Sequence, residues 1–184
     1  GFATFMEHVD RESHLGRDEY LYGLWQDFDA YAGEAHGRYR RAIVCQDYEA
    51  PIDIFDRHLY EKGGLVLHAL RSELGDDVFW AGVGTYLARH ARGVVETRDL
   101  RRALEDVSGR SLEQFFEQWV LRAGHPELTV KVQHEGDALT ISVKQTQPST
   151  CTPGTPSGAA EASVPVFAFD LVFEIVDEDG TRME

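Results

Sequence analysis

The chain has 184 residues, 42% of them hydrophobic and 11% aromatic, which excludes general disorder and allows one sizeable domain or two small ones. A formal net charge of −14 argues against a nucleic-acid binder, because phosphate contacts need a surplus of Lys and Arg. It suits an enzyme that attracts cationic groups such as peptide N-termini, although many acidic proteins attract nothing of the kind.

No apolar run approaches the roughly 20 residues of a membrane span and no signal peptide is visible, so the expectation is a cytoplasmic protein with no membrane partner. The chain begins Gly-Phe-Ala rather than Met, so the true N-terminus is expected to lie upstream. Cys45 and Cys151 lie far apart without CxxC spacing and read as two ordinary thiols.

Phe2, Phe5, Met6 and Val9 recur at helical spacing with no N-cap residue before them, so the chain is expected to start inside or just before a helix. Leu21, Leu24, Trp25, Phe28 and Tyr31 predict the buried face of a second helix, which ends between Gly33 and Gly37. The stretch from Arg38 to Pro51 reads as loop, with a short extended piece at Ala42 to Cys45. A third helix is predicted from Ile54 to Leu74, with Gly75 as its left-handed C-terminal residue. A fourth runs from Asp77 to Ala91, with Val78, Val83, Tyr86 and Leu87 inward.

Thr97 is the predicted N-cap of a fifth helix, with Leu100, Ala103, Leu104 and Val107 inward and Gly109 after its end. Ser111 and Gln114 have capping-box spacing for a sixth, whose core face is Leu112, Phe115, Phe116 and Trp119. The period then changes to two. Leu128, Val130 and Val132, then Leu139, Ile141 and Val143, predict two strands joined around Glu135-Gly136-Asp137. A Pro/Ser/Thr/Gly/Ala-rich stretch at 147–165 reads as a flexible loop, Phe167 to Val176 as another strand, and Asp179-Gly180 as a hairpin turn. The predicted organisation is a helical unit over 1–125 and an incomplete all-β unit over 126–184.

Motif chemistry alone points to no enzyme. The sequence contains no HExxH, Cys/His cluster, GxSxG or P-loop. Eight histidines are scattered: His8 and His14 are six apart rather than four, and His68 and His90 sit inside predicted helices, so structural roles are expected.

Four stretches, in order, resemble the M1 (aminopeptidase N-like) zinc metallopeptidases. They are Gly1-Phe2-Ala3; Ile54-Phe55-Asp56 with Tyr60-Glu61-Lys62-Gly63-Gly64; Leu74-Gly75, Phe79, Tyr86-Leu87 and His90; and Ser108-Gly109, Phe115-Phe116, Gln118-Trp119 and Gly124-His125-Pro126. The first corresponds to the last three residues of the family's Asn-Glu-Gly-Phe-Ala signature, and the second to its Tyr-Glu-Lys-Gly motif. The resemblance implies a mainly α fold: the helical C-terminal subdomain of a thermolysin-like catalytic domain, followed by a partial antiparallel β-sandwich.

In the family an HExxH helix supplies two histidine ligands and a glutamate general base, and the third zinc ligand is the Glu just before Gly-Phe-Ala. None of these is in this sequence. The resemblance therefore implies Zn2+ in the parent protein, none bound to this chain, and no hydrolysis by this chain alone. One catalytic residue carries over, Tyr60 of Tyr-Glu-Lys-Gly. A phenol, with a reference pKa of about 10, can donate a hydrogen bond to an oxyanion. Gly63 and Gly64, one turn later, allow another backbone to approach its helix. Glu61 and Lys62 are expected to be exposed charges or a local salt bridge, and His125 a turn residue.

The implied function is removal of N-terminal residues from peptide substrates. The alternative is a non-catalytic M1-like scaffold that binds other proteins, distinguished by the fate of the metal ligands upstream. A helix face that would normally meet the absent half is expected to be exposed and to allow self-association.

Overall fold

A computed structural model describes residues 1–136, 138–148, 150–151, 162–163, 166–176 and 182–183. Helix α1 spans Phe2–Leu15, α2 Arg17–Gly37, α3 Glu61–Leu74, α4 Asp76–His90 and α5 Thr97–Ser108. The short α6, Glu113–Phe116, passes directly into a π-helical turn, Glu117–Leu121. One apolar core joins these elements, including Phe5, Leu24, Val66, Leu70, Phe79, Leu104 and Phe116. Phe5 is its pivot, fully buried, edge-on to Phe79 at 5.6 Å and stacked on Trp80 at 6.1 Å. α4 and α5 meet backbone to side chain, since a Cβ on Gly82 would lie 2.5 Å from Leu104 Cδ2. No helix among the described residues is long and apolar enough to cross a membrane.

Several elements differ from the sequence expectation, each for a physical reason. α2 is apolar on two faces, and only Leu24 and Tyr31 of the expected set are buried, beside Tyr20, Gly23 and Ala35. Leu21, Trp25 and Phe28 instead face outward with Tyr22. Gly23 favours the observed face: a Cβ there would sit 2.5 Å from His8 Nδ1, so the missing side chain lets the His8 ring of α1 lie against α2.

α3 begins at Glu61, not Ile54. Pro51 opens a 3₁₀ turn over Pro51–Ile54, and Asp56 then diverts the chain by accepting from the backbone N–H groups of His58 and Leu59, both at 3.0 Å. The 42–45 stretch is not a strand; it is tied down by Val44 N–H donating to the Val120 carbonyl at 3.2 Å and by the Arg41 side chain donating to the Ala42 and Ile43 carbonyls. Gly75 has a positive φ of 77° but an extended ψ of 157°, so it is not the left-handed helical residue expected. Leu87 on α4 is exposed, and Phe79 takes the central buried place. α5 is capped at Glu96 rather than Thr97, because the Asp99 carboxylate accepts the Glu96 N–H at 2.9 Å.

Strands β1, Leu128–Glu135, and β2, Ala138–Gln145, form the expected antiparallel hairpin, with Val130 opposite Val143 and Val132 opposite Ile141. Gly136 at φ 59° makes the turn. The apolar side chains of the hairpin remain largely exposed. Two further antiparallel pairings, Thr150–Cys151 with Ala162–Ser163 and Ile175–Val176 with Arg182–Met183, join neither this sheet nor each other. The described β structure is thus three two-stranded sheets.

The expected strand over Phe167 to Val176 reduces to Ile175–Val176. Phe167 is buried against Trp119, with ring centroids 4.9 Å apart, and glutamine side chains replace a neighbouring strand. The Gln145 amide bonds the Phe167 carbonyl at 2.6 Å and N–H at 2.9 Å, and Gln118 does the same for Ala168 at 2.6 and 3.0 Å. Most of the predicted loop at 147–165, and the Asp179-Gly180 turn, lie outside the described residues. Cys45 is a free thiol.

Candidate active site

Tyr60 is the N-cap of α3 rather than a residue within a longer helix. Its N–H donates to the Asp56 carbonyl at 3.2 Å and its own carbonyl accepts from Gly64 N–H at 2.9 Å, so the backbone is held from both sides. The side chain is 39% exposed and edge-on to Phe55 at 6.0 Å. Both rings line an open cleft of about 500 Å3, together with Thr4 and Glu7 of α1, Asp27, Glu34 and Arg38 of α2 and its end, and Asp56, Arg57 and Glu61. Residue 1 meets α3 beside it. The Gly1 nitrogen donates to the Leu59 carbonyl at 2.9 Å, and a Cβ on Gly63 would lie 2.9 Å from Gly1 Cα. The close backbone approach read from Gly63 is therefore present, and it brings the Gly-Phe-Ala and Tyr-Glu-Lys-Gly motifs together.

Beneath Tyr60 lies a buried charge network that sequence reasoning missed. Arg41 binds Asp56 through Nε at 2.7 Å and Nη2 at 2.5 Å, and also donates to the carbonyls of Ala42, Ile43 and Ile54. Tyr39 OH adds a 2.7 Å bond to Asp56 Oδ2. Burial alone would raise the Asp56 pKa, but its bonds to Arg41 and Tyr39 outweigh burial and hold it below the usual carboxylate range. Burial and the neighbouring Asp56 carboxylate push Tyr39 up to about 12. An Asp two and three residues before amides that open a turn is the available sequence signal. Its salt partner, 15 residues upstream, leaves no local trace.

Of the two alternatives expected for Glu61 and Lys62, exposed charges are not found, since the residues are 8% and 3% exposed, but the local salt bridge is present for Glu61. Glu61 pairs with Arg57 one turn earlier. Lys62 Nζ donates to the Gly124 carbonyl at 3.0 Å and lies 5.7 Å over the Tyr31 ring, bracing α3 against the exit from the helical unit. His125 is buried as a structural residue, its Nδ1 3.0 Å from Tyr31 OH. Burial lowers the pKa of His58 to about 3, and those of His68 and His125 to about 4.

Two groups bring three potential metal ligands within 4.8 Å of one another: His36, His125 and Glu127, and Glu34, Asp56 and His58. Neither fits a zinc ion. Asp56 already accepts five hydrogen bonds, two of them from Arg41. Glu127 Oε1 is taken by the Arg40 guanidinium at 2.9 Å, so a fixed cation already stands beside it. Among the described residues no group is arranged to hold a catalytic metal.

Residues 1–119 match the peptidase family M1 domain. The chain is 30% identical to Aminopeptidase 2 of Candida albicans over 191 aligned positions, which span 98% of this chain and 19% of that protein. It therefore covers under a fifth of the length of such relatives. Among solved structures, an M1 zinc metallopeptidase variant from Deinococcus radiodurans bound to a Tyr-Ser-Ala substrate superposes with a TM-score of 0.53 at 29% identity, over 66% of this chain and 26% of that one. Legionella pneumophila aminopeptidase A, in complex with aspartic acid, shares the fold with a TM-score of 0.64 at 23% identity, over 79% of this chain and 16% of that one. With its helical unit matched almost from end to end, the chain belongs to peptidase family M1.

Proposed function

We propose that the whole protein is a zinc-dependent aminopeptidase that releases N-terminal residues from peptides, and that this chain contributes the Tyr60 hydroxyl to its active site. The supporting observation is the position of Tyr60. Its ring is exposed at a cleft, and the Gly1 nitrogen is bonded to the carbonyl of the residue immediately before it. On the family resemblance, a metal-ligating glutamate directly precedes Gly1, and the bond from Gly1 to Leu59 supports a reading in which that ligand lies near Tyr60. Zinc is held in this reading by residues that this sequence does not contain.

The task of Tyr60 is electrostatic. As a peptide carbonyl is attacked, its oxygen gains negative charge, and a donor already fixed in place stabilises that charge without reorganising. The Asp56 turn and the Gly64 bond hold the Tyr60 backbone, so its hydroxyl is presented from a braced position. Such a donor typically contributes about 3–4 kcal/mol to transition-state stabilisation. In the whole protein, Tyr60→Phe should lower kcat by at least roughly a hundredfold with little change in KM. Unchanged turnover in that variant would remove the assigned role. No turnover by the unmodified protein, zinc supplied, would favour a non-catalytic scaffold.

A further inference from the structure

A group that donates to a developing oxyanion must be held to within about 0.5 Å of its place. Tyr60 stands at the end of a connection whose one regular element is the 3₁₀ turn Pro51–Ile54, so side chains must set its position. Asp56 receives the three amides that lead into α3. Its Oδ1 accepts from His58 and Leu59, both at 3.0 Å, and its carbonyl from Leu59 and Tyr60, both at 3.2 Å. Asp56 is fixed in turn by Arg41, through Nε to Oδ2 at 2.7 Å and Nη2 to Oδ1 at 2.5 Å. The same guanidinium donates to the Ile54 carbonyl at 2.9 Å. Arg41 therefore grips both flanks of Phe55, whose ring lies edge-on to Tyr60 at 6.0 Å. Stability alone is a weak reason for this arrangement, because apolar side chains of similar volume often serve a core as well as a buried ion pair does. A planar guanidinium supplies direction: two parallel bonds fix the rotation of the carboxylate, and with it the amides that the carboxylate holds.

We propose that Arg41 is a positioning residue for Tyr60, acting through Asp56 on its backbone and through Phe55 on its ring. The proposal rests on the reading of Tyr60 as the oxyanion donor and adds to it a residue from the segment that follows α2. Arg41→Lys keeps the charge but exchanges the fork for a point donor, so the Asp56 carboxylate gains freedom to rotate. A displacement of about 1 Å in a group of this kind can cost about a hundredfold in rate.

A double-variant cycle in the whole protein, with kcat and KM measured on tripeptides, tests it. Arg41→Lys should lower kcat by about tenfold or more and change KM by less than about twofold. In the Tyr60→Phe background, where no hydroxyl remains to be placed, Arg41→Lys should lower kcat by less than about twofold. A merely structural role would reduce the amount of native protein and so lower kcat by the same factor in both backgrounds. Equal factors, or no loss in Arg41→Lys, overturn the proposal, and a loss in Tyr60→Phe alone leaves the aminopeptidase reading standing. Should Arg41→Lys fail to fold, Tyr39→Phe gives the same comparison, since it removes only the 2.7 Å bond to Asp56 Oδ2. It should lower kcat by about threefold or more where the Tyr60 hydroxyl is present, and by less than about 1.5-fold where it is absent. If no peptide is cut, or if Tyr60→Phe keeps full turnover, the aminopeptidase reading or the role of Tyr60 in it has failed, and hydrogen exchange decides on Arg41. Exchange about tenfold faster at the His58, Leu59 and Tyr60 amides of the variant, with α4 and α5 unchanged, upholds the hold of Arg41 on Tyr60. Unchanged exchange at those amides, or equal acceleration throughout the helices, overturns it.

Discussion

Replacing Arg41 with alanine should destabilise the protein by about 3–5 kcal/mol, because it breaks a buried ion pair from one side. The Arg41 and Asp56 side chains are only 2% and 4% exposed, so solvent neither screens the pair nor rescues its survivor. The substitution removes five hydrogen bonds and leaves the Asp56 carboxylate with Tyr39 OH and two backbone amides. Those neutral donors do not balance a full buried charge. A loss of this size is a large part of the ~5–15 kcal/mol that holds a typical domain together.

The effect should also depend on pH. In the intact protein the Asp56 pKa is lowered, so its contribution is complete above the unfolded value near 4 and is lost as pH falls through the folded value. Without Arg41, burial dominates and the folded pKa rises above the unfolded one. The variant then relieves its charge by taking up a proton, and its deficit relative to the intact protein shrinks as pH falls from 7 towards 4. Urea unfolding followed by tryptophan fluorescence at pH 7 and pH 4.5 measures both quantities. Adding Asp56→Asn to Arg41→Met should recover part of the loss, because both charges are then gone. A deficit under about 1 kcal/mol at pH 7, or one that grows on acidification, would refute the reasoning.

Gly82→Ala should cost roughly 1–3 kcal/mol by forcing α4 away from Leu104, seen as a lowered Tm; an unchanged Tm would mean that the Leu104 side chain yields freely. Gln118→Ala should speed hydrogen exchange at the Ala168 amide, which loses its acceptor, while amides within β1 and β2 keep their protection. The lowered pKa values of His58, His68 and His125 predict falling stability from pH 6.5 to about 4, because the unfolded chain takes up protons there that the native histidines refuse. Flat unfolding midpoints over that window would contradict it. Since no described cluster suits the metal, this chain dialysed against zinc-free buffer should retain no stoichiometric zinc by elemental analysis.

What was legible in advance was mostly local. Helical spacing located five long helices, and alternation located the β1–β2 hairpin with its turn at Gly136, because each pattern reports neighbours a few residues apart. Motif order located Tyr60 and the two glycines beside it. Its surroundings were hidden because they are assembled from distant segments: Gly1 against Leu59, Lys62 against Gly124, Arg41 against Asp56. The exposed-charge alternative for Glu61 and Lys62 failed for this reason, since nothing in four residues of a helix says what will be packed on them, whereas the local pair of Glu61 with Arg57 one turn earlier was within reach of the sequence.

The sequence by itself determined that the chain would be mainly helical, then β, and that a tyrosine followed by two glycines would mark the point where backbones converge. Only the tertiary structure decided which of two apolar faces of α2 is buried, and where α3 begins. It also decided that Phe167 is held by glutamine side chains instead of a strand. Hydrophobic burial is non-directional and sets only that apolar groups must be covered. Which groups cover them, and which buried charges find partners, depends on contacts between residues far apart along the chain.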